Sequence, residues 1–424
     1  MRRPRMGHAG WLFAGAAALR ILYVSAAAEA PPQDTPDYDE IARNLLAGDG
    51  FVSHENWFGH PVRSWRAPGY PLMLAAVYGA AGFDHQAVRL VQAILGALTV
   101  SLVYLLALRL RPSAAPLAGV AAAVYPPLLA SANEVMSECL FTGLLVAALW
   151  AAVESRHRPG RRWAFAAGVL IALAGLTRPV GLLAAPAVLA VAAWEDRAAL
   201  RGWLRRWALP LGAGLVVTLA PWTARNALVH GAFVPVSTHG GFIVARSNAD
   251  RPDWRRPDGW RIDGGHFEAV PREVERDRRW WRQGLGWIAA HPLGYLRLAG
   301  ERFLRFGYFF QPGYNAAFVL AAPFWVWGLV RWGRSPGFRY PAAVVVLSAA
   351  VFCFVLYGST RFRLPLEPLL LVFGAAAAHE GWRRGGRLFA GACAAWAALQ
   401  GLVWWQAEAA RAAVILVLEA GGLR

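Results

Sequence analysis

The feature that most limits the fold of this chain is a series of apolar runs, each close to the length at which a helix crosses a lipid bilayer. Of the 424 residues, 57% are hydrophobic and only 16% are charged, whereas about a quarter of the residues in an average soluble domain are charged. The sequence therefore predicts an all-α integral membrane protein of about eleven transmembrane helices. The apolar runs are residues 10–28, 88–108, 113–130, 138–153, 163–176, 179–195, 207–222, 313–330, 340–357, 364–379 and 386–405.

The first apolar run has some features of a cleaved signal peptide, because it follows a basic opening and ends in Ala-Glu-Ala before Pro31. Arg20 lies in the middle of the run, where a signal peptide has an apolar core. We therefore predict a retained first helix, in which Arg20 pairs with an acidic residue of the bundle.

All 43 basic residues are arginine, since the chain contains no lysine. This absence excludes Walker-A nucleotide binding, Schiff-base chemistry and protein kinase chemistry, because each of them needs a lysine. The net charge of +17 would indicate nucleic acid binding in a soluble protein. Here the arginines are concentrated in short loops between apolar runs, as is typical of cytoplasmic loops that face anionic headgroups. Membrane lipids are therefore the expected partners, and nucleic acid is not.

The distribution of arginine among short loops predicts the orientation. The loop at 131–137 has no arginine and lies opposite the arginine-rich loops. The alternation predicts a cytoplasmic N-terminus and two long segments that face outward. The predicted organisation is an N-terminus with the first helix (1–29), a first outer loop (30–87), helices two to seven (88–222), a long outer loop (223–312), helices eight to eleven (313–405) and a C-terminal tail (406–424).

The outer loops also contain helical patterns. Thr35 suits an N-cap, Pro36 the first helical position and Gly48 the end of a helix. Apolar residues between them recur at helical spacing, which predicts a short amphipathic helix on the outer membrane surface. Further predictions are a helix that begins at Pro71, a polar loop at 249–273, and helices near 273–290 and 293–309.

Several short motifs, taken in their order along the chain, resemble those of the GT-C glycosyltransferases. In the first outer loop they are Asp34-Thr-Pro-Asp-Tyr38, Ile41-Ala-Arg-Asn-Leu-Leu46, Gly48-Asp-Gly-Phe51 and Arg66-Ala-Pro-Gly-Tyr-Pro71. Later motifs are Tyr125-Pro-Pro127, Ser137-Glu138, Thr177-Arg-Pro179, Pro221-Trp222, Arg225-Asn226, Gly240-Gly241 and Arg361-Phe-Arg-Leu-Pro365. No one of them is specific, but the ordered set is similar to the branch of the bacterial aminoarabinose transferases and protein O-mannosyltransferases (glycosyltransferase family 39-like).

The resemblance implies a GT-C bundle and an inverting glycosyltransferase of the bacterial inner membrane, with its active site facing outward. Members of this family transfer a sugar from a polyprenyl-phosphate carrier to an acceptor, whether lipid, glycan or protein. Such a reaction needs a general base for the acceptor proton, usually a carboxylate. It also needs cationic groups around the departing lipid phosphate.

The candidates for the base are the acids at the start of the first outer loop, namely Asp34, Asp37, Asp39 and Glu40. Asp37 and Asp39 fall in the first predicted helical turn, where the helix dipole favours acidic residues without any catalytic role. Asp34 precedes that turn and stands four residues before Tyr38, as the catalytic acid of the resembled family does. We predict that Asp34 is the base, with Asp37 as the alternative.

Arginines at the predicted outer boundary are candidates for binding phosphate, because a guanidinium is always charged and matches phosphate oxygens. Such side chains also snorkel to headgroups, but the positive-inside bias makes them less expected on this side. Arg361 and Arg363 are predicted to act as a pair, and Glu138 is either a second acid of the site or a solvated helix end. The predicted substrate- and phosphate-binding residues are Arg66, Tyr70, Glu138, Arg178, Arg225, Arg361 and Arg363.

A divalent metal ion is possible but not favoured, and no other cofactor is expected. The Asp37-x-Asp39 pattern resembles a metal site, but on a helix these side chains point about 200° apart. His54, Glu55 and His60 share one loop but match no standard zinc spacing.

Two other functions fit the same composition. A flippase or transporter of lipid-linked sugars needs a groove and arginines but no base, and a non-catalytic partner of an envelope assembly needs no turnover at all. The chain shows no inverted repeat, which argues against a secondary transporter. A carboxylate beside the carrier phosphate would distinguish the enzyme from the flippase.

Overall fold

The computed structural model describes residues 7–31, 34–56, 58–158, 160–197, 200–249, 270–307 and 315–406, together with residues 409, 412 and 416. Most of the predicted polar loop at 249–273 and of the tail at 406–424 lies outside these described residues. Within them the chain is helical, and its one extended pairing is an isolated antiparallel bridge between Ser53 and Val62. The all-α class predicted from the sequence is therefore confirmed.

The helices, in chain order, are α1 (His8–Ala26), α2 (Thr35–Ala47), α3 (Gly69–Ala81), α4 (His85–Leu110), α5 (Ala115–Val124), α6 (Pro126–Asn133), α7 (Glu138–His157), α8 (Arg161–Thr177), α9 (Ala184–Glu195), α10 (Leu200–Trp203), α11 (Leu209–His230), α12 (Gly240–Ser247), α13 (Glu273–Ala290), α14 (Pro292–Gly307), α15 (Ala316–Trp332), α16 (Arg339–Phe354), α17 (Thr360–Arg363) and α18 (Glu367–Trp405). Short 3-10 turns cover Pro112–Ala114, Pro179–Leu183 and Leu364–Leu366, and a π-helix covers Leu204–Ala208.

Each predicted apolar run contains helix, although the runs 10–28 and 340–357 extend past the ends of α1 and α16, and the run 113–130 is interrupted at Tyr125. The predicted number of spans is not confirmed. By length and composition, five helices among the described residues could cross a membrane, or six if the bent pair α5 and α6 is one span. The five are His8–Ala26, His85–Leu110, Glu138–His157, Leu200–His230 and Thr360–Trp405. Four shorter apolar helices accompany them at Gly69–Ala81, Pro179–Glu195, Ala316–Trp332 and Arg339–Phe354.

The last long helix is broken at Gly386, whose φ of 42° is a left-handed value that favours glycine. Before the break, α18 runs alongside α15, where a Cβ on Gly328 would lie 2.3 Å from the carbonyl oxygen of Phe373. After the break the chain returns along α15, because Phe389 lies against Phe324 and Trp396 donates to the carbonyl of Val319 at 3.2 Å. The two runs predicted at 364–379 and 386–405 are thus separate helical segments.

A second break separates α5 from α6, which are bent by 44°. Pro126 begins α6, and a proline cannot supply the N–H that a continuous helix requires. The guanidinium of Arg20 donates to the carbonyls of Ala122 and Ala123 at 3.2 Å and 3.1 Å, and so satisfies backbone acceptors next to the break. The prediction that Arg20 pairs with an acidic residue is therefore wrong, since its hydrogen bonds go to backbone oxygens.

Helix α2 confirms the predicted helix in the first outer loop, with one shift at its start. Asp34 is the N-cap and Thr35 the first helical residue, whereas Thr35 was the predicted cap. The hydroxyl of Thr35 instead donates to the carbonyl of Val135 at 3.1 Å. The helix ends at Gly48, which has a φ of 90°, as the sequence predicts. The helices predicted near 273–290 and 293–309 are likewise present as α13 and α14.

Three parts of the chain run between the same two ends of the bundle: α7, the 3-10 turn with α9, and the stretch from α16 to α17. Helix α7 alone has 20 residues, which makes it about 30 Å long. Contacts join the three parts at both ends. One end brings together Glu138, Arg178 and Arg361, and the other brings together Arg156, Glu195 and Arg339.

Candidate active site

A group of acidic and basic side chains meets at the end of the bundle that holds Glu138, Arg178 and Arg361. One part of this group surrounds Arg66. Nη2 of Arg66 donates to Oδ1 of Asp34 at 3.0 Å and to Oδ2 of Asp37 at 2.6 Å, and Nε donates to the same Asp37 oxygen at 2.8 Å. The guanidinium lies 5.4 Å from the ring centroid of Tyr38. Arg66 thus ties the loop before α3 to the first turn of α2.

The other part of the group surrounds Arg361 in α17. Its Nη2 donates to Oδ2 of Asp34 at 2.9 Å, and its Nε donates to Glu138. Glu138 also lies 2.6 Å from Nη1 of Arg178, which donates to the hydroxyl of Ser137 at 3.2 Å. Asp34 and Glu138 are therefore each shared by two arginines. We refer to the whole group as the ion-pair cluster, which consists of Asp34, Asp37, Arg66, Glu138, Arg178 and Arg361.

Breaks in the helices direct these side chains toward one another. Asp34 caps α2, yet its side chain makes no capping hydrogen bond and points to the arginines. Arg178 follows α8 and precedes Pro179, a position where the backbone is held away from the helical region. Gly69 lets the loop that carries Arg66 approach the end of α8, because a Cβ there would lie 2.6 Å from Oγ1 of Thr177.

The cluster contains three carboxylates and three guanidinium groups, so its formal charges cancel. This balance matters because a buried charge is costly unless it is paired. The side chain of Glu138 is 2% exposed, whereas those of Asp34 and Arg361 are 26% and 29% exposed. Burial by itself raises the pKa of Asp34, but the charges of Arg66 and Arg361 outweigh it and hold that pKa well below its usual range. Asp34 is therefore an accessible carboxylate that is ionised at neutral pH.

Sequence reasoning missed His239 and Tyr357, which border the cluster. The ring of His239 lies 4.2 Å from that of Trp65, and burial together with the charge of Arg66 lowers the pKa of His239 to about 3. Burial also raises the pKa of Tyr357, against the opposing charge of Arg361. Both side chains are therefore uncharged polar groups at the edge of the cluster. The position of His239 directly before the Gly240-Gly241 motif was a signal that could have found it.

Tyr70 lies behind the cluster and is fully buried. Its hydroxyl donates to Gln92 at 2.9 Å, and its ring lies 5.0 Å from that of Tyr38 in an edge-to-face contact. Tyr38 in turn lies under Arg66. The structure therefore places Tyr70 as a support for the residues that hold Arg66, whereas the sequence predicts direct substrate contact.

Arg225 is not part of the cluster, although the sequence predicts that it binds phosphate. Its Nη1 donates to the carbonyl of Arg63 at 2.7 Å, and its Nη2 donates to the carbonyl of Phe51 at 2.9 Å. The guanidinium also lies 4.8 Å from the ring of Trp222. These contacts fasten the first outer loop to the end of α11.

Arg363 is also separate from the cluster, so the predicted pairing with Arg361 is wrong. The side chain of Arg363 is 1% exposed and lies 2.6 Å from Glu367. It also donates to the carbonyl of Gly307 at 3.1 Å and lies over the ring of Phe318. Side chains two residues apart on a helix point about 200° apart. Arg361 therefore faces the cluster, whereas Arg363 faces the protein core.

The remaining acids of the first outer loop have structural partners. Asp39 accepts from the hydroxyl of Tyr78 at 2.6 Å and lies 2.9 Å from His85, while Glu40 accepts from Ser53 and from the backbone of Glu55. Asp37 and Asp39 face different partners, as helix geometry requires. Among the described residues, no group of three or more His, Cys, Asp or Glu side chains is arranged to hold a metal ion.

A narrow apolar cleft lies beside the cluster, between α7, the 3-10 turn after Arg178, and α16. Its wall includes Phe141, Val180 and Phe362. These residues follow the cluster members Glu138, Arg178 and Arg361 closely along the chain. The guanidinium of Arg178 lies 5.6 Å from the ring of Phe362, so charged and apolar surfaces are in direct contact. The cleft is small, with a volume of about 10 Å³, so the segments around it would have to separate to admit an apolar chain.

The fold and the cluster define the class of this protein, which is a membrane protein with the GT-C fold. The family model described as dolichyl-phosphate-mannose-protein mannosyltransferase matches residues 60–224. That segment includes Arg66, Glu138 and Arg178 but neither Asp34 nor Arg361. No sequence of the curated proteins matches the chain at a significant level.

Two solved structures with a similar fold are GT-C glycosyltransferases. ArnT from Cupriavidus metallidurans, bound to undecaprenyl phosphate, has a TM-score of 0.57 and 16% identity over 99% of this chain and 74% of its own. The oligosaccharyltransferase of Archaeoglobus fulgidus, in complex with zinc and sulfate, has a TM-score of 0.56 and 15% identity over 93% of this chain. This chain spans about half (52%) of the oligosaccharyltransferase. At these identities the likeness establishes the fold, and the resemblance seen in the sequence is confirmed.

Proposed function

We propose that this protein is an inverting glycosyltransferase that takes a sugar from a polyprenyl-phosphate carrier and passes it to an envelope acceptor at the outer face of the bacterial inner membrane. The observation that carries the proposal is the position of Asp34 between Arg66 and Arg361. A carboxylate within hydrogen-bond distance of two guanidinium groups supports the proposal, because the guanidinium groups could bind the phosphate. A base for the acceptor and cations for the leaving phosphate are the two requirements of the reaction.

In the proposed reaction, the acceptor attacks the anomeric carbon and the bond from that carbon to the phosphate oxygen breaks. Asp34 takes the proton that the acceptor loses. The negative charge that develops on the departing lipid phosphate is stabilised by Arg66, Arg178 and Arg361. The products are the glycosylated acceptor and the polyprenyl phosphate.

Binding of the donor would also activate the base. In the structure without ligand, Arg361 donates to Asp34 and Glu138, and a donor phosphate would compete for these hydrogen bonds. Loss of a guanidinium partner raises the pKa of a carboxylate, so Asp34 would become a better proton acceptor only when the carrier is present. Asp37 remains the alternative base, although its ion pair is with Arg66 alone among the cluster arginines.

The carrier's tail is proposed to enter along the apolar cleft beside Arg178 and Phe362, which must widen from its volume of about 10 Å³ to admit it. The phosphate would then lie at the arginines and the tail against apolar side chains. A metal ion is not required in this proposal, since guanidinium groups already supply the positive charge at each carboxylate of the cluster.

The outward orientation is supported by the arginine-rich loops at the opposite end of the bundle. The acceptor class (lipid, glycan or protein) stays open, as does the sugar.

The test is sugar transfer by membranes supplied with a labelled polyprenyl-phosphate sugar, comparing wild type with Asp34→Asn and Asp37→Asn at equal expression. Asp49→Asn is the matched control, because Asp49 is an exposed acid just after the same helix. We expect Asp34→Asn to lose transfer by at least about 100-fold while it still retains the carrier, and Asp49→Asn to keep transfer.

Three other results would change the assignment. Loss of transfer in Asp37→Asn alone would make Asp37 the base. Movement of the labelled carrier across the membrane without transfer by the wild type would favour the flippase. Loss of carrier retention in Asp34→Asn would mean that this residue shapes the binding site, and the assignment of the base would fail.

A further inference from the structure

A polar cavity, with a volume of about 500 Å³, lies at the end of the bundle opposite to the ion-pair cluster. Four arginines and two acids contribute to its wall, so two positive charges are in excess. The arginines are Arg156, Arg197, Arg206 and Arg339, and the acids are Glu195 and Asp196. We refer to this space as the arginine-lined cavity.

The ion pairs around this cavity leave part of its positive charge uncompensated. Glu195 forms ion pairs with two of the arginines, since it lies 3.1 Å from Arg156 and 3.7 Å from Arg339. Arg206 donates to the carbonyls of Ser155 and Arg156 at the end of α7, and these contacts carry no formal charge. Arg197 lies 5.4 Å from the ring of Trp194, and no carboxylate of the described residues lies within ion-pair distance of it.

An unusual backbone segment supplies part of the wall. The π-helix at Leu204–Ala208 contributes both Arg206 and Trp207 to the cavity. Such segments are rare, and they occur frequently at functional sites because they cost helical hydrogen-bond geometry. The ring of Trp207 stacks on that of Tyr340 at 5.6 Å, and the hydroxyl of Tyr340 donates to Glu195 at 3.3 Å. The aromatic and charged parts of the wall are thus held in one arrangement.

The location of the cavity favours a lipid as its occupant. It lies where α7 and α9 end and where α16 begins, which is the level of the headgroups for helices that cross a bilayer. Trp194 stands in its wall and is 62% exposed, as is typical of the aromatic belt at a membrane interface. Phospholipid headgroups are therefore the anions that this cavity meets at the highest concentration.

From these observations we infer that the arginine-lined cavity binds the phosphodiester headgroup of an anionic phospholipid, in the leaflet opposite to the ion-pair cluster. Arg197 and Arg206 would contact the phosphate oxygens, because their charges are not used by an acid. Trp194 would lie beside the glycerol and the start of the acyl chains. This site is separate from the proposed sugar transfer and does not depend on it.

The test is a titration of the purified full-length protein in detergent with phosphatidylglycerol, in which bound lipid is counted by native mass spectrometry. Phosphatidylcholine serves as the lipid without net charge, and inorganic phosphate at millimolar concentration serves as the soluble anion. We expect the wild type to retain phosphatidylglycerol in preference to phosphatidylcholine. Arg197→Gln should weaken that retention about fivefold, the contribution of one arginine near an anionic surface.

Arg383→Gln is the matched control, since Arg383 is an exposed arginine in a different segment at the same end of the bundle. Arg197 is itself exposed, so its substitution leaves the fold intact, and a melting curve verifies this. Retention that Arg197→Gln leaves unchanged, or that Arg383→Gln reduces equally, would overturn the inference. Displacement of the lipid by inorganic phosphate would assign the cavity to a soluble anion instead. Sugar transfer is measured separately, so failure of either proposal leaves the other testable.

Discussion

Asp34 and Arg361 are 327 positions apart in the chain, and Oδ2 of Asp34 accepts a hydrogen bond from Nη2 of Arg361 at 2.9 Å. This ion pair joins the N-cap of α2 to α17. Through Arg66 and Glu138 it extends into the rest of the cluster. The candidate site is therefore assembled from five separate segments, and none of them contains both the acids and the arginines of the cluster.

Arg361 and Arg363 should respond in opposite ways to the same substitution. Arg361→Gln removes a proposed phosphate-binding group of the partly exposed cluster, so we expect sugar transfer to fall by about 100- to 1,000-fold with the fold retained. Arg363→Gln leaves Glu367 as an unpaired buried charge, which costs about 3–5 kcal/mol of stability. Thermal unfolding and transfer, measured on both purified variants, would separate the two effects. Equal destabilisation by both substitutions would show that the cluster is only a structural ion pair.

The pKa of Asp34 gives a pH dependence with a defined sign. Its folded-state pKa is depressed, so the ion pairs of Asp34 stabilise the fold at pH values above the unfolded pKa of about 3.9. That contribution is lost as the pH falls toward the folded-state pKa. We expect the difference in unfolding temperature between wild type and Asp34→Asn to be constant from pH 6 to pH 5, about one unit above the unfolded pKa, and to shrink below about pH 4. A difference that vanishes already near pH 6 would contradict the assigned ion pairs.

Removal of divalent metal should leave the reaction unchanged. In the proposed mechanism, the charge on the leaving phosphate is stabilised by arginine, which a chelator does not remove. The measurement is transfer by purified protein after extensive treatment with EDTA, with and without added Mg²⁺ or Mn²⁺. Loss of transfer that either ion restores would require a metal at the acids of the cluster.

Arg20 should matter for stability but not for turnover. Arg20→Met keeps an unbranched, flexible side chain and removes the donors to Ala122 and Ala123, so buried carbonyl oxygens lose their partners at a cost of about 1–3 kcal/mol. We expect a lower unfolding temperature and an unchanged rate of transfer per folded molecule. Arg205→Met, at an exposed position, controls for the loss of a positive charge. A fall in transfer without a change in stability would assign Arg20 a role in the site.

The sequence predicted the local structure well because helices depend on neighbouring residues. Each apolar run contains helix, and Gly48 follows the end of α2 in the left-handed conformation that is typical of such a position. The number of transmembrane spans could not be predicted in the same way. Length and hydropathy identify a span only when the helix is long enough to cross the bilayer, and several of the apolar helices are shorter than that. Local patterns also failed for Arg20, since the break at Pro126 creates carbonyl partners that no sequence spacing reveals.

The candidate site was likewise predictable only in part from the sequence. The resemblance and residue chemistry together nominated Asp34, Asp37, Glu138, Arg66, Arg178 and Arg361, because carboxylates and guanidinium groups are what the implied sugar transfer requires. They nominated Arg225 and Arg363 on equal grounds, and they passed over His239 and Tyr357. Only the tertiary structure separated these groups, since an arginine binds a ligand or a carbonyl according to what packs against it. The residue types and helices are thus properties of the sequence, whereas the pairing of Asp34 with Arg361 exists only because distant segments fold against each other.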